Sequence, residues 1–314
     1  MTLRLLVVTL SLLATMSGFA QRGRGFVSVE AHVGLGRIVH VGTIESLKQI
    51  EYDKPLQFPL SAGKQYRLLF KVTETIRGPR TETLELVLNL QSTTALEFFR
   101  DHHTELMLVG GFSLQDEEAV VGLEEQGKAV ENTRYSFRIL RPLEESNPKD
   151  TQTIEWQINT NLDSGRMFDS DLSVVSSRDG ILKRARAFAK RHTETLTSIW
   201  LIVPNEFGSL CGYTNAYCGI TLPICPETEH TLASLLKNPN RLLRGIKDKE
   251  RDRARSALLV DTLKVFEPFP STENAALVRK LSGGYEPKPL QDGSFASPYD
   301  VKRAADKLLE TWKM

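Results

Sequence analysis

Tyr66-Arg-Leu-Leu-Phe-Lys-Val-Thr-Glu-Thr-Ile-Arg-Gly-Pro-Arg-Thr-Glu-Thr-Leu-Glu-Leu-Val-Leu-Asn-Leu90 is the stretch that decides the fold class of this chain. Tyr66, Leu68, Phe70 and Val72 alternate with Arg67, Lys71 and Thr73, the period of a strand buried on one face. Leu84, Leu86, Leu88 and Leu90 repeat the alternation. Arg77-Gly78-Pro79-Arg80 between them has turn chemistry. Two alternating runs joined by such a turn predict an antiparallel pair.

The neighbouring segments extend the β pattern. Ile38–Glu45 reads as a strand with Gly42 inside it, and an internal glycine marks a bulge or a close backbone approach. Ala95–Asp101 predicts one or two helical turns, Glu105–Val109 a buried strand ending at Gly110-Gly111, and Tyr135, Phe137 and Ile139 a last strand stopped by Pro142. The order of Ile38-Val-His-Val-Gly-Thr-Ile-Glu45, Tyr66–Gly78, a second alternating strand and Leu106-Met-Leu-Val109 resembles the small OB-type β-barrel of netrin-like and metalloproteinase-inhibitor-like modules of secreted proteins. The resemblance spans roughly Ala31–Arg141 and implies a small β-barrel and an inhibitor-like binding role. Those modules carry cysteines near the N-terminus and in the barrel, whereas this segment has none.

Beyond Pro142 the pattern turns helical. Thr151–Ile158 and Leu172–Val175 read as short strands. Ile181, Ala185, Phe188, Ala189 and His192 fall on one helical face after Ser177. Ile199–Val203 is an apolar strand closed by Pro204, and the next twenty residues read as loop. Pro226 suits a first helical position. Ala254–Phe266 predicts a long helix, and Ser271-Thr272 caps a shorter one that Gly283-Gly284 ends. Ser297-Pro-Tyr-Asp300 reads as a capping box before the stripe Val301, Ala304, Ala305, Leu308, Leu309 and Trp312. Glu273–Leu281 and Tyr299–Leu309 are similar to helices of HEAT-type repeats, over Arg241–Met314, and repeats of that kind bind partners. The fold class expected is therefore α+β, an N-terminal antiparallel OB-like β-barrel (26–145) followed by a mainly helical domain with HEAT-like pairs (150–314).

Met1–Ala20 reads as a secretory signal peptide. Arg4 precedes the apolar run Leu5–Ala14, and Gly18 and Ala20 stand where a signal peptidase needs small residues. The run is shorter than the roughly 20 residues that span a bilayer. The expected location is secreted or periplasmic, with no membrane span after cleavage. Loss of Arg4 leaves 39 basic against 39 acidic residues. That balance lacks the basic surplus of a nucleic-acid partner. The partner expected is another protein or an envelope polymer.

Cys211, Cys218 and Cys225 are the only cysteines of the 314-residue chain. In an exported protein the first reading is one disulfide plus one thiol, with connectivity open and free thiols the alternative. The spacing differs from that of structural zinc sites, even with His230 nearby. His32, His40, His102, His103, His192 and His230 form no metal pattern. Gly34-Leu-Gly36 is too short for a dinucleotide loop, and Gly208-Ser209 lacks the second glycine of a nucleophile elbow. Asp163, Asp169 and Asp171 do not follow calcium-loop spacing. The densest basic cluster is Arg178, Lys183, Arg184, Arg186, Lys190 and Arg191, a candidate patch for an anionic ligand. No set of residues combines nucleophile, base and stabiliser. The residues therefore predict a binding or scaffold protein with no catalytic, metal or cofactor site. A cell-envelope hydrolase and a protease-inhibitor-like module are the alternatives.

Overall fold

A computed structural model describes residues 25–50, 64–90, 93–113, 124–125, 128–129, 133–140, 155–156, 160–164, 167–175, 177–204, 217–243, 246, 248–285 and 298–314. Along the chain run β1 (Gly25–Val27), α1 (Val29–Leu35), β2 (Gly36–Gln49), β3 (Lys64–Arg77), β4 (Thr83–Leu90), α2 (Thr93–Asp101) and β5 (Met107–Ser113). Then come β6 (Glu124–Glu125), β7 (Lys128–Ala129), β8 (Thr133–Ile139), β9 (Glu155–Trp156), β10 (Thr160–Ser164), β11 (Met167–Phe168), β12 (Val174–Val175) and α3 (Arg178–Arg191). β13 (Ser198–Pro204), β14 (Tyr217–Pro223), α4 (Pro226–Lys237), α5 (Asp248–Val265), α6 (Thr272–Gly283) and α7 (Pro298–Trp312) complete the order. They form two compact units, Ser28–Ser198 and Ile199–Met314, the second including β1.

The first unit is built on one sheet of strand order β4-β3-β2-β5-β8-β10-β9. The five strands from β4 to β8 are antiparallel to their neighbours, and β10 joins β8 in parallel. Among the described residues no ladder joins the two ends, so the sheet does not close into a barrel. The architecture is α+β. The β3–β4 pair is the hairpin that the double alternation demands, with Leu68 opposite Leu86 and Tyr66 opposite Leu88. Gly78 turns between them at φ 91°, a left-handed conformation that glycine adopts without steric cost. Gly42 stands at a register shift of β2. A Cβ there would lie 2.0 Å from the Lys71 carbonyl oxygen, so only glycine lets the two backbones approach.

One sheet face buries Leu68, Phe70, Leu86, Leu88, Val109 and Phe137 beneath α2, which adds Ala95 and Phe99. Phe99 meets Phe137 edge-on at 5.0 Å. The other face, with Val39, Val41 and Leu108, is covered by α1, whose Val29, Ala31 and Val33 are fully buried. Ser28 caps α1 by accepting the Ala31 N–H at 3.0 Å. Ser177 caps α3 in the same way, and Ile181, Ala185 and Phe188 are buried on the face the periodicity predicts.

In the second unit β14 lies between β1 and β13. Tyr217–Pro223 is therefore a strand and not the loop expected from sequence. Ile220 and Leu222 point inward, and the parallel partner β1 is remote in sequence, so no local signal announces the pairing. α4 starts at Pro226 and packs on α5 and α6, and α7 packs on both α5 and α6. Ser271 caps α6 through the Asn274 N–H. Val301, Ala305 and Leu308 of α7 are buried, while Trp312 donates Nε1–H to the Glu267 carbonyl at 2.9 Å. Among the described residues no helix is long and apolar enough to cross a membrane.

Candidate functional site

The pairing of β2 changes along its length. Gly36–Gly42 bond to β5, and the ladder stops at Gly42 opposite Met107. Ile44 then donates its N–H to the His103 carbonyl at 3.1 Å, and a bulge separates Ile44 from Ser46. From Ser46 to Gln49 the strand pairs with β3 on one edge, Leu47 opposite Leu68 and Gln49 opposite Tyr66. Among the described residues no strand covers its other edge.

α2 faces that free edge across a groove of about 560 Å³. Ile44, Leu47, Tyr66, Leu96 and Phe99 form its apolar floor, and Glu45, Glu97, Arg100 and His103 stand on the rim. This volume lies within the roughly 300–1,000 Å³ of small-ligand sites. The rim charges are unequally satisfied. Arg100 pairs with Asp101 at 3.1 Å, and His103 Nδ1 hydrogen-bonds the Arg100 carbonyl at 2.8 Å. Glu45 and Glu97 have no ionic partner among the described residues.

A second polar assembly is buried around α1. Glu30 Oε2 accepts the Ser170 N–H at 2.9 Å, and its Oε1 lies 3.8 Å from the Arg184 guanidinium. Arg184 sits closer to Asp169, at 2.7 Å. Asp169 Oδ1 also accepts the Ser173 N–H at 2.8 Å, which holds the tip of the β11–β12 hairpin. Two buried acids thus share one guanidinium. Burial raises the Glu30 carboxyl from its ordinary 4.5 to about 7; Asp169 pushes the same way, against Arg184 and the backbone donors. His32, two residues along α1 and fully buried, is pushed from 6.5 to about 3, by burial first and by Arg138 second. It therefore stays neutral, packed edge-on to Phe112 at 5.6 Å.

The six residues of the basic cluster all lie on or at the start of α3, but they do different work. Arg184 binds Asp169, and Arg186 makes a two-pronged pair with Glu74, both bonds 2.7 Å. That pair holds the Glu74 carboxyl below and the Arg186 guanidinium above their usual values. Arg178 lies 3.4 Å from Asp179. Helical spacing sets Lys183, Arg186 and Lys190 along one side and Arg184 and Arg191 along another.

Of the cysteines, Cys211 and the Cys218 side chain lie outside the described residues. Cys225 is a buried thiol, 3.6 Å from the Thr228 hydroxyl, and burial pushes its ionisation up. His40 donates to or accepts from Thr75 Oγ1 at 3.1 Å, and His102 pairs with Glu105 at 2.6 Å. The helical unit has its own groove of about 630 Å³ between α5 and α7, floored by Leu263, Ala304 and Leu308. Two of its rim cations are already paired, Lys264 with Asp261 and Arg303 with Asp300. No protein-family model, curated protein or solved structure matches this chain.

Proposed function

We propose that this chain is an exported, non-catalytic binding protein whose β-rich unit recognises another protein. Export rests on Arg4, the Leu5–Ala14 run and the Gly18/Ala20 pair. The observation that carries the binding reading is the groove beside Glu45–Gln49, where an apolar floor meets two carboxylates and a sheet edge that are unpaired among the described residues. An OB-type module is a small, partly open five-stranded barrel. The five antiparallel strands β4 to β8, with bulges in the long β2, support that resemblance. The close packing of α4 to α7 supports HEAT-like pairs as a scaffold.

The test is an array of random linear peptides probed with the mature full-length chain and with its Leu96→Arg variant, checked for folding by circular dichroism. Peptides retained by the wild type and released by the variant support the reading. Retention on insoluble envelope polymer instead of peptides overturns the protein partner. Turnover of the arrayed peptides overturns the non-catalytic role.

A further inference from the structure

We propose that the free edge of β2 over Glu45–Gln49 takes up an extended, basic segment of a partner protein as an added strand. The inference rests on the binding reading above and names its partner's chemistry. β5 leaves β2 at Gly42, and the bulge at Ile44/Ser46 bends the strand past it. Five residues of edge follow, about 16 Å at the usual rise of a strand. Their unpaired backbone groups are a template for another strand.

The groove selects what can pair there. α2 stands opposite the edge, so an incoming chain is held between strand and helix. A chain in extended conformation points alternate side chains to one side. Apolar ones on that side meet Leu47, Tyr66, Leu96 and Phe99. The intervening ones emerge at the rim, where among the described residues Glu45 and Glu97 lack ionic partners and Arg100 is already neutralised by Asp101. Lys48, exposed on the same strand, does not line the groove. The complementary segment therefore alternates apolar residues with Lys or Arg. Strand addition of this kind takes affinity from main-chain bonds and specificity from the alternate side-chain pockets.

The probe is a labelled seven-residue peptide with blocked ends in which Val alternates with Lys, titrated into the mature full-length chain by fluorescence anisotropy. Two analogues carry N-methyl groups on every second amide, one set on each edge of the peptide. An added strand uses one edge only. One analogue should therefore bind at least tenfold more weakly and the other within about twofold of the parent. Exchange of those amide protons within Glu45–Gln49 that point away from β3 should slow on binding. The exposed pair Glu45→Lys/Glu97→Lys should weaken binding about tenfold and flatten its salt dependence. Equal binding by both methylated analogues overturns strand addition, while array peptides that Leu96→Arg releases would leave the broader reading standing. A Glu-for-Lys peptide that binds as well as the parent overturns the basic specificity. If no array peptide is retained at all, both readings fall together.

Discussion

Glu30→Gln isolates the buried charge at α1. The folded carboxyl titrates near 7 against an ordinary 4.5, so the folded state holds a proton that the unfolded chain releases between those values. Its contribution to stability is fully present below pH 4.5 and is lost as pH rises through about 7. The displacement corresponds to about 3 kcal/mol. His32 runs the other way. Its folded value near 3 means that the chain loses stability as pH falls from 6.5 toward 3, with a ceiling of about 5 kcal/mol. Between pH 4.5 and 6.5 the two slopes oppose and cancel, so the pair contributes a flat window. Gln is isosteric with the protonated acid and keeps an oxygen for the Ser170 N–H. It gives up only a 3.8 Å contact with Arg184, which stays on Asp169. The variant should match the wild type within about 1 kcal/mol at pH 4.5 and exceed it by about 2–3 kcal/mol at pH 8. Urea unfolding followed by far-ultraviolet circular dichroism across this range reads the difference directly. A constant offset between the two proteins at all pH values would refute the reasoning. So would a variant less stable at pH 8, because the ionised Glu30–Arg184 pair would then outweigh burial.

Gly42→Ala drives a methyl group to 2.0 Å from the Lys71 carbonyl, so β2 and β3 must separate; thermal melting should show a loss of more than about 3 kcal/mol or no folded protein. Trp312→Ala removes a half-buried ring set against Phe266 at 5.8 Å and the bond to Glu267, and should lower stability by about 2 kcal/mol in a thermal melt, less than a full core truncation. Arg186→Ala breaks an exposed ion pair with Glu74, and should cost no more than about 1 kcal/mol in urea titration, with the difference shrinking in high salt.

The β-rich half was legible where one face is wet. Tyr66–Leu90 alternates because one side of β3 and β4 is buried and the other is solvated. Gly42 was legible for the same reason, as an interruption of a pattern. α1 was not. Its seven residues carry no solvent face, so nothing in Val29–Leu35 has the amphipathic stripe that marks a surface helix. Ser28 caps it, but a lone serine in a sequence is a weak signal of a helix start. The Glu30–Ser170 bond joins residues 140 positions apart, beyond any local periodicity. The basic cluster on α3 was visible as composition. That Arg186 is paired depends on Glu74, 112 positions away, and no run of charges predicts it.

The groove shows the same division between local and remote causes. That Ile38–Glu45 forms a strand is written in its own residues, but where its pairing ends is set by β5. The ladder to β5 runs from Gly36 to Gly42, opposite the first residue of β5, Met107, and a bulge between Ile44 and Ser46 follows. β3 continues to pair to Gln49, so the strand stays extended without a second neighbour. Exposed edges invite aggregation unless they are guarded by charge or cover. Here Glu45 and Lys48 supply charge, and α2 stands alongside without bonding to the edge. The proposed strand addition requires that this helix hinder the broad, flat approach of a second sheet and still admit a single extended chain. On that proposal, the arrangement that guards the edge against copies of itself is also the one that would select a narrow, complementary segment.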